Sequence, residues 1–323
     1  MHETVNAARA FCPLTQEIST NNLANESWYS DDVPELPEVE TIVRGLARRI
    51  IGDTITSVWI GSRPQPLKSP ATEIVKTLEG ARIEAIRRAG KHIVIALAGA
   101  RDSRSARRKT QTKRTRESHQ GGATSSAHWV VHLGMTGRLV VCEPGAEVAK
   151  HTHLIATLAS GRELRFIDPR MFGKLSVHTA IFDPGGVEPL DVDEETFITL
   201  FRGRKTPIKS ALLNQKLLRG VGNIYADESL FRAGVRPRRR ASTITRAQLS
   251  ELYKSVREVL REAINLGGSS ISDYVDAAGE EGFFQLQHRV YGREGEKCLV
   301  CNTPIRRVVL SGRSSHYCPK CQK

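Results

Sequence analysis

The sequence lacks any long hydrophobic run, since no stretch approaches the roughly 18 consecutive apolar residues that a membrane-spanning helix needs. Its first residues also lack the basic start and apolar centre of a secretory signal, and a single arginine there does not suit a transit peptide. We therefore expect no membrane span and a cytoplasmic location. Wholesale disorder is excluded as well, because 39% of the 323 residues are hydrophobic.

Acidic residues are in the minority, with 35 aspartates and glutamates against 48 lysines and arginines, for a net charge of +13. Such an excess favours a polyanionic partner, with nucleic acid ahead of a membrane surface. The charge is unevenly spread. Residues 1–33 hold one base and five acids, a net charge of −4, so the remaining 290 residues carry +17.

Cysteines are few, but four of the six cluster near the end of the chain as two Cys-x2-Cys pairs separated by sixteen residues: Cys298, Cys301, Cys318 and Cys321. This spacing is typical of a zinc ribbon, in which two tight turns present four sulfurs to a tetrahedral ion. Two disulfides are the alternative, which the absence of a secretory signal disfavours. Because four thiolates leave no open position, we predict one structural Zn²⁺.

The hydrophobic pattern changes along the chain. A helical pattern follows Pro37, and short Val- and Ile-rich runs between residues 55 and 167 predict an antiparallel sandwich or barrel. After Gly186 the period becomes helical, and the candidate helices are 194–202, 207–218, 223–233 and 246–266. At about 100–200 residues per domain, the length suggests two domains with a small appendage. The predicted class is α+β.

Residues 101–127 interrupt the strand-rich region with eight basic and two acidic residues and no apolar periodicity. The pattern predicts a disordered loop that joins two adjacent strands. Its charge suits either an ordinary solvated loop or a non-specific tether to DNA.

Two glycine-containing turns are candidates for DNA contact. The turn 220–223, GVGN, lies between helical stretches, where it is either a phosphate grip made of helix amides or a simple packing joint. The turn 168–173, DPRMFG, displays an Arg and a Phe two residues apart. These side chains form either a wedge that enters a base stack or a salt-bridged Arg beside a core Phe.

Taken together, five ordered motifs resemble bacterial formamidopyrimidine-DNA glycosylases. They are 34–41, PELPEVET; 132–137, HLGMTG; 168–173, DPRMFG; 220–228, GVGNIYADE; and the four-cysteine ribbon. The resemblance covers residues 34–323 apart from the insertion at 101–127. It implies an N-terminal antiparallel β-sandwich domain over 34–182 and a helix–two-turn–helix domain over 191–286. It also implies a lesion-covering loop within about 268–285 and a zinc ribbon over 289–323.

The same resemblance implies a monomeric base-excision repair enzyme whose partner is damaged double-stranded DNA, located in the cytoplasm at the nucleoid. The enzyme would remove oxidised purines, chiefly 8-oxoguanine and formamidopyrimidines, and then cut the strand by β- and δ-elimination. Pro34 would be the nucleophile and Glu35 the general acid. Lys91 would contact the lesion phosphate and assist β-elimination, and Arg313 would bind phosphate and assist δ-elimination. Without the resemblance, Lys91 and Arg313 would be interpreted as solvated surface charges.

The family's DNA contacts transfer to seven positions. Met135, Arg170 and Phe172 would fill the gap that the flipped nucleotide leaves in the stack. The other DNA-contacting positions are His151, Arg204, Lys209 and Asn223.

The chain departs from the family at its start. A proline inside a chain has an amide nitrogen with a delocalised lone pair, so Pro34 can act as a nucleophile only as the first residue. We therefore expect residues 1–33 to be an extension that is not made or is removed. Val33 stands where the family has its initiator methionine, and valine is what an internal GUG codon specifies. This predicts a start at codon 33 followed by methionine removal, with proteolysis as the alternative route.

Two rival interpretations remain. The endonuclease VIII branch acts on oxidised pyrimidines, but it opens Pro-Glu-Gly-Pro and lacks the Met/Arg/Phe wedge, whereas Leu36 follows Glu35 here. The other rival is a non-catalytic zinc-containing DNA-binding protein, which would need no proline amine.

Overall fold

The structure, a computed structural model, describes residues 33–99, 126–270, 277 and 282–323. The predictions for residues 1–32, for most of the basic insertion and for most of the lesion loop lie outside these residues. Within the described ranges, no helix has the length and apolar character needed to cross a membrane.

The N-terminal part consists of two four-stranded antiparallel sheets and two helices. Helix α1 spans Leu36–Ile50 and α2 spans Ala71–Leu78. The strands are β1 (Ile55–Ile60), β2 (Arg82–Ala89), β3 (His92–Ala98), β4 (Ser126–His132), β5 (Arg138–Cys142), β6 (Thr152–Leu158), β7 (Glu163–Ile167) and β8 (Lys174–His178). One sheet has the order β1-β6-β7-β5 and the other β2-β3-β4-β8. Their inner faces and α1 share one apolar core, so the predicted sandwich is confirmed.

The basic insertion joins two strands that pair directly. Strands β3 and β4 are in register from His92 opposite His132 to Ala98 opposite Ser126, so the predicted adjacency is confirmed. The predicted end of the insertion at residue 127 is wrong by two residues. Ser126 and Ala127 belong to β4, because the ladder to Ala98 and Leu97 continues through them.

The second part is helical, with α3 (Glu194–Phe201), α4 (Ile208–Leu212), α5 (Asn223–Arg232) and α6 (Arg246–Asn265) around a separate core. The helix predicted over 207–218 ends at Leu212 instead. Its leucines continue the apolar pattern, but polar side chains stabilise turns here: Asn214 accepts the Lys216 amide at 3.0 Å and Gln215 accepts the Gly220 amide at 2.8 Å.

The C-terminal ribbon carries strands β9 (Arg306–Leu310) and β10 (Arg313–Tyr317), which form an antiparallel hairpin. Ser311 and Gly312 both adopt positive φ, +50° and +78°, as a tight two-residue hairpin turn requires. Phe231 of α5 packs against the ribbon's apolar residues, so the hairpin is attached to the helical part. This places Arg313 as the first strand residue after the turn.

Candidate active site

The carboxyl group of Glu35 lies where the two parts of the protein meet. Glu35 is 2% exposed and directly precedes α1. Its two oxygens accept hydrogen bonds from the Gly222 amide at 2.7 Å and the Ile224 amide at 3.0 Å. The first amides of a helix have no partner within the helix and favour a negative group. The helical part therefore holds and orients a carboxyl group of the sandwich part.

Close approach at this point requires a glycine. A Cβ atom on Gly222 would lie 2.3 Å from Glu35 Cδ and 2.6 Å from Lys91 Nζ, so any side chain there would displace both groups. The turn 220–223 was predicted to be either a phosphate grip or a packing joint. The phosphate interpretation is wrong for the Gly222 and Ile224 amides, since both already hold Glu35.

Burial shifts the pKa values of Glu35 and Lys91, the two ionisable groups that lie beside Gly222. Burial raises the pKa of Glu35 to about 7, against the opposing effects of Lys91 and of the two amides. Burial also lowers the pKa of Lys91, against the attraction of Glu35 and Glu38, and the charge of Arg313 adds to the lowering. The carboxyl group is therefore able to carry a proton near neutral pH, beside an amine that is more easily deprotonated than an ordinary lysine.

Glu38 is a second buried carboxyl group at the site, and the sequence reasoning missed it. It accepts the Glu35 amide at 2.9 Å, the Ser269 amide at 2.8 Å and the Tyr225 hydroxyl group. Burial raises its pKa. The capping-box position of Glu38, three residues after Glu35, could have predicted the first of these bonds. The other two join α1 to α5 and to the loop that follows α6.

The ends of the predicted lesion loop lie beside Glu38. The Gly282 amide donates to Ser270 Oγ at 2.8 Å, and the Ser270 amide donates to Gln285 Oε1 at 3.0 Å. The stem of this loop is therefore closed next to the catalytic candidates.

The predicted wedge residues share one surface. Phe172 is 52% exposed and the Arg170 guanidinium lies 5.0 Å from its ring centroid, so the interpretation of Phe172 as a core residue is wrong. Buried Asp168 accepts the Thr136 hydroxyl at 2.6 Å and the Gly173 amide at 2.8 Å. These bonds tie the turn that carries half-buried Met135 to the turn that carries Arg170 and Phe172.

The other four DNA-contact candidates divide into two pairs. His151, with φ +65°, and Arg204 lie at least partly exposed in loops. Lys209 and Asn223 are buried instead. Lys209 is 1% exposed and its Nζ contacts Asp227 Oδ1 at 2.8 Å and the Ser314 carbonyl at 2.5 Å. Asn223 Nδ2 donates to Ser314 Oγ at 3.1 Å. Both side chains therefore hold the hairpin of β9 and β10, called the zinc hairpin below. Since Lys209 is buried there, the structure does not support a direct contact between Lys209 and a DNA phosphate.

The four clustered cysteines fit one zinc ion. All four Sγ atoms lie within 4.8 Å of one another, with 3.9 Å between Cys298 and Cys321 and 3.4 Å between Cys301 and Cys318. Tetrahedral zinc with Zn–S bonds of about 2.3 Å needs sulfurs about 3.8 Å apart. Hydrogen bonds from Thr303 lower the pKa of Cys301 to about 6, whereas burial raises the pKa values of Cys318 and Cys321. None of the four is in a disulfide, so that alternative is wrong.

Replacing Cys298 with serine is expected to release the metal and to weaken DNA binding by about 10–100-fold, because the hairpin that carries Arg313, the predicted phosphate contact, would lose its fixed geometry. The sandwich and helical cores should persist, since they are separate from the ribbon cluster. Zinc content, DNA affinity and thermal unfolding check this expectation. Full affinity in a demonstrably zinc-free variant would contradict it.

Comparison with known proteins matches the same three parts. The family model for the formamidopyrimidine-DNA glycosylase N-terminal domain matches residues 33–175, and the model for the H2TH domain of the same enzymes matches 186–275. A zinc finger found in FPG and IleRS matches residues 295–323. A formamidopyrimidine-DNA glycosylase from Solibacter usitatus is 44% identical over 301 residues, which cover 90% of this chain and all of the relative.

Solved structures give the same result. The MutM (FPG) protein from Thermus thermophilus has a TM-score of 0.72 at 37% identity and covers 90% of this chain and 98% of its own. A Lactococcus lactis FPG mutant bound to Fapy-dG-containing DNA has a TM-score of 0.75 at 31% identity, covering 90% of this chain and all of its own. With the sandwich, the helical part and the four-cysteine ribbon matched in order, the chain belongs to the formamidopyrimidine-DNA glycosylase family.

Proposed function

We propose that this protein is a bifunctional DNA glycosylase and abasic-site lyase that excises oxidised purines, including 8-oxoguanine and formamidopyrimidines, from duplex DNA. The observation that carries the proposal is the buried carboxyl group of Glu35, which lies beside Pro34 and half-buried Lys91 and is held by the Gly222 and Ile224 amides at the start of α5. A non-catalytic DNA-binding protein has no need for a buried acid with a raised pKa at that position. DNA complexes of structural relatives contain Fapy-dG and carbocyclic 8-oxo-G, which supports the choice of lesion.

The nucleophile in this proposal is the secondary amine of a terminal Pro34. Its neutral nitrogen attacks the sugar C1′, the damaged base leaves, and the product is an iminium that acidifies the C2′ proton. Glu35 protonates the sugar ring oxygen as the ring opens. In this proposal Lys91 contacts the lesion phosphate and assists β-elimination, and Arg313 assists δ-elimination.

Lesion access requires the nucleotide to leave the stack, which costs a few kcal/mol of stacking and pairing. Met135, Arg170 and Phe172 lie together at the surface and would replace part of that stacking. His151 and Arg204 would contact the backbone, while Lys209 and Asn223 would act through the hairpin. As the family resemblance implies, we propose that the protein acts as a monomer at the nucleoid.

The active chain in this proposal begins at Pro34. The family model matches from residue 33, and 90% of this chain covers the full length of the Solibacter usitatus relative. The proposed domains are 34–182, 191–286 and 289–323, and residues 1–33 are an extension that must be absent from the active form.

The test is excision and borohydride trapping with a chain that begins at Pro34. A duplex with one 8-oxoguanine should be cut and trapped, while a thymine-glycol duplex of the same sequence should be processed more slowly. Faster turnover of thymine glycol would indicate the endonuclease VIII specificity instead. Binding without excision or trapping of either substrate would contradict the enzyme assignment.

Removing residues 101–125 is expected to leave excision intact and to flatten the salt dependence of DNA affinity. The deletion spares Ser126 and Ala127 because they belong to β4, and a loop between adjacent strands tolerates shortening. Each lost phosphate contact reduces the slope of log K against log salt by about 0.9. The measurement is DNA affinity across a salt series, and an unchanged slope would mean that the loop does not reach DNA.

A further inference from the structure

A buried carboxylate under the zinc hairpin has no role in the chemistry described so far. Asp227 lies in α5 and is 0% exposed. Its Oδ1 lies 2.8 Å from Lys209 Nζ, and its Oδ2 accepts the His316 amide at 2.8 Å. Because Lys209 Nζ also donates to the Ser314 carbonyl, Asp227 is connected to β10 at two points.

The same helix also fixes the other end of the site. The amides of Gly222 and Ile224 hold Glu35, and Asn223 Nδ2 donates to Ser314 Oγ at 3.1 Å. Helix α5 is therefore joined at its N-terminus to the general-acid candidate and along its side to the strand that Arg313 begins. Ser314, the neighbour of Arg313, contacts Asn223, which lies in the chain between the two residues whose amides hold Glu35, so the start of β10 lies close to the catalytic candidates.

Buried ionic contacts of this kind fix geometry because they are directional. A buried carboxylate and a buried ammonium are strongly unfavourable unless each meets its partner, so few alternative positions of β10 satisfy both groups. An apolar contact would tolerate a slide of the strand along the helix. The network instead fixes the position of Ser314, and therefore also the position of its neighbour Arg313.

We propose that Asp227 is a positioning residue that sets Arg313 for the second elimination. The proposal rests on the proposed function. In that step a general base of the site or water takes the C4′ proton, the C5′–O bond breaks, and its electron pair leaves with the 5′ phosphate. Arg313, held by the Asp227 network, stabilises the negative charge on the departing phosphate. Base excision and β-elimination depend on Pro34, Glu35 and Lys91 and do not need this placement.

The experiment measures all three steps in one assay with a chain that begins at Pro34. Single-turnover reactions on 8-oxoguanine duplex resolve base loss, the β-product and the δ-product, with the enzyme well above its Kd so that weaker phosphate binding through Arg313 does not limit the three rates. Asp227→Asn is expected to slow δ-elimination about 10–100-fold, the range that loss of one charge-assisted contact gives, while excision and β-elimination change by less than about threefold. The matched control is Glu262→Gln in α6, which removes a half-buried ion pair with Arg232 at the C-terminal end of α5 and should leave all three rates unchanged.

A double-mutant cycle tests whether Asp227 acts through Arg313. Arg313→Ala should slow δ-elimination, and adding Asp227→Asn should slow it no further. If Asp227→Asn fails to fold, Asp227→Glu keeps a charged partner for Lys209 but displaces the carboxylate by one methylene group, so no buried ammonium is left unpaired. Zinc content and thermal unfolding verify that this variant is folded, and it should show the same selective loss of the δ-product.

Equal slowing of all three steps in a folded variant would overturn the proposal and leave Asp227 a purely structural role. An unchanged ratio of δ- to β-product, or additive effects with Arg313→Ala, would also overturn it. Absence of excision and trapping in the unsubstituted chain is a different result, because it would contradict the proposed function itself.

Discussion

A chain that begins at Pro34 is expected to form a borohydride-trapped complex with 8-oxoguanine DNA, and the 323-residue chain is expected to form none. The reason is covalent: in the longer chain the Pro34 nitrogen is part of a tertiary amide, which has no available lone pair and cannot form an iminium. The difference should therefore be all or none. The measurement is trapping on a denaturing gel, with the N-terminus of each sample verified by mass.

The control for this comparison is DNA binding. The longer chain carries a net −4 on residues 1–33, so it is expected to bind somewhat more weakly but still to bind. A chain with Gly in place of Pro34 tests the role of the terminal amine. Glycine offers a primary amine, which can still form an imine that borohydride traps, but its basicity differs from that of the proline secondary amine. Trapping by the longer chain with a verified N-terminus would contradict the assignment of Pro34.

Replacing Glu35 with glutamine is expected to slow base excision by about 10²–10⁴-fold, the usual contribution of a positioned general acid. Glutamine has no proton to give to the sugar ring oxygen. Its NH2 group would also face one of the two α5 amides that now donate to the carboxylate. The matched control is Glu73→Gln, which changes an exposed carboxyl group of α2 and should leave the excision rate unchanged.

Because the pKa of Glu35 is raised, the excision rate should depend on pH in a way that the Glu35→Gln variant lacks. The group is mostly protonated below its pKa of about 7 and loses the acid form as pH rises through that value. The proline amine works in the opposite sense and is neutral above its own pKa, ordinarily about 8 for a chain terminus. Above both values the excision rate should fall about tenfold per pH unit. The residual activity of Glu35→Gln should lack that descending limb, and a limb of equal slope in the variant would contradict the assignment of Glu35.

Local patterns were sufficient for several parts of the fold. The zinc ribbon followed from the spacing of four cysteines, and all six residues of the apolar stripe predicted for α6 are buried: Leu249, Leu252, Val256, Val259, Leu260 and Ile264. The end of that helix at Gly267 and Gly268 was also correct, because both adopt positive φ. In each case the physical cause lies within a few residues of its effect. Helix α2 was missed because only Ile74 and Leu78 are buried, which leaves almost no period to detect.

Contacts between residues that are far apart in the sequence could not be predicted from such local patterns. The hydrogen bond from Gly222 to Glu35 joins residues 187 positions apart, and that from Ser269 to Glu38 spans 231. Nothing in either segment alone shows that an apparent phosphate turn would hold a carboxylate. Lys209 illustrates the same limit: its sequence context fits a surface base, and only the fold shows that Asp227 and Ser314 surround it.

Peptide mapping of the borohydride-reduced complex identifies the nucleophilic atom itself. A chain that begins at Pro34 would be trapped on 8-oxoguanine DNA, digested with protease and nuclease, and analysed by tandem mass spectrometry. We expect a reduced sugar remnant on the nitrogen of Pro34 and on no other residue. A remnant on Lys91, on another lysine, or on the terminus of an unprocessed chain would contradict this expectation.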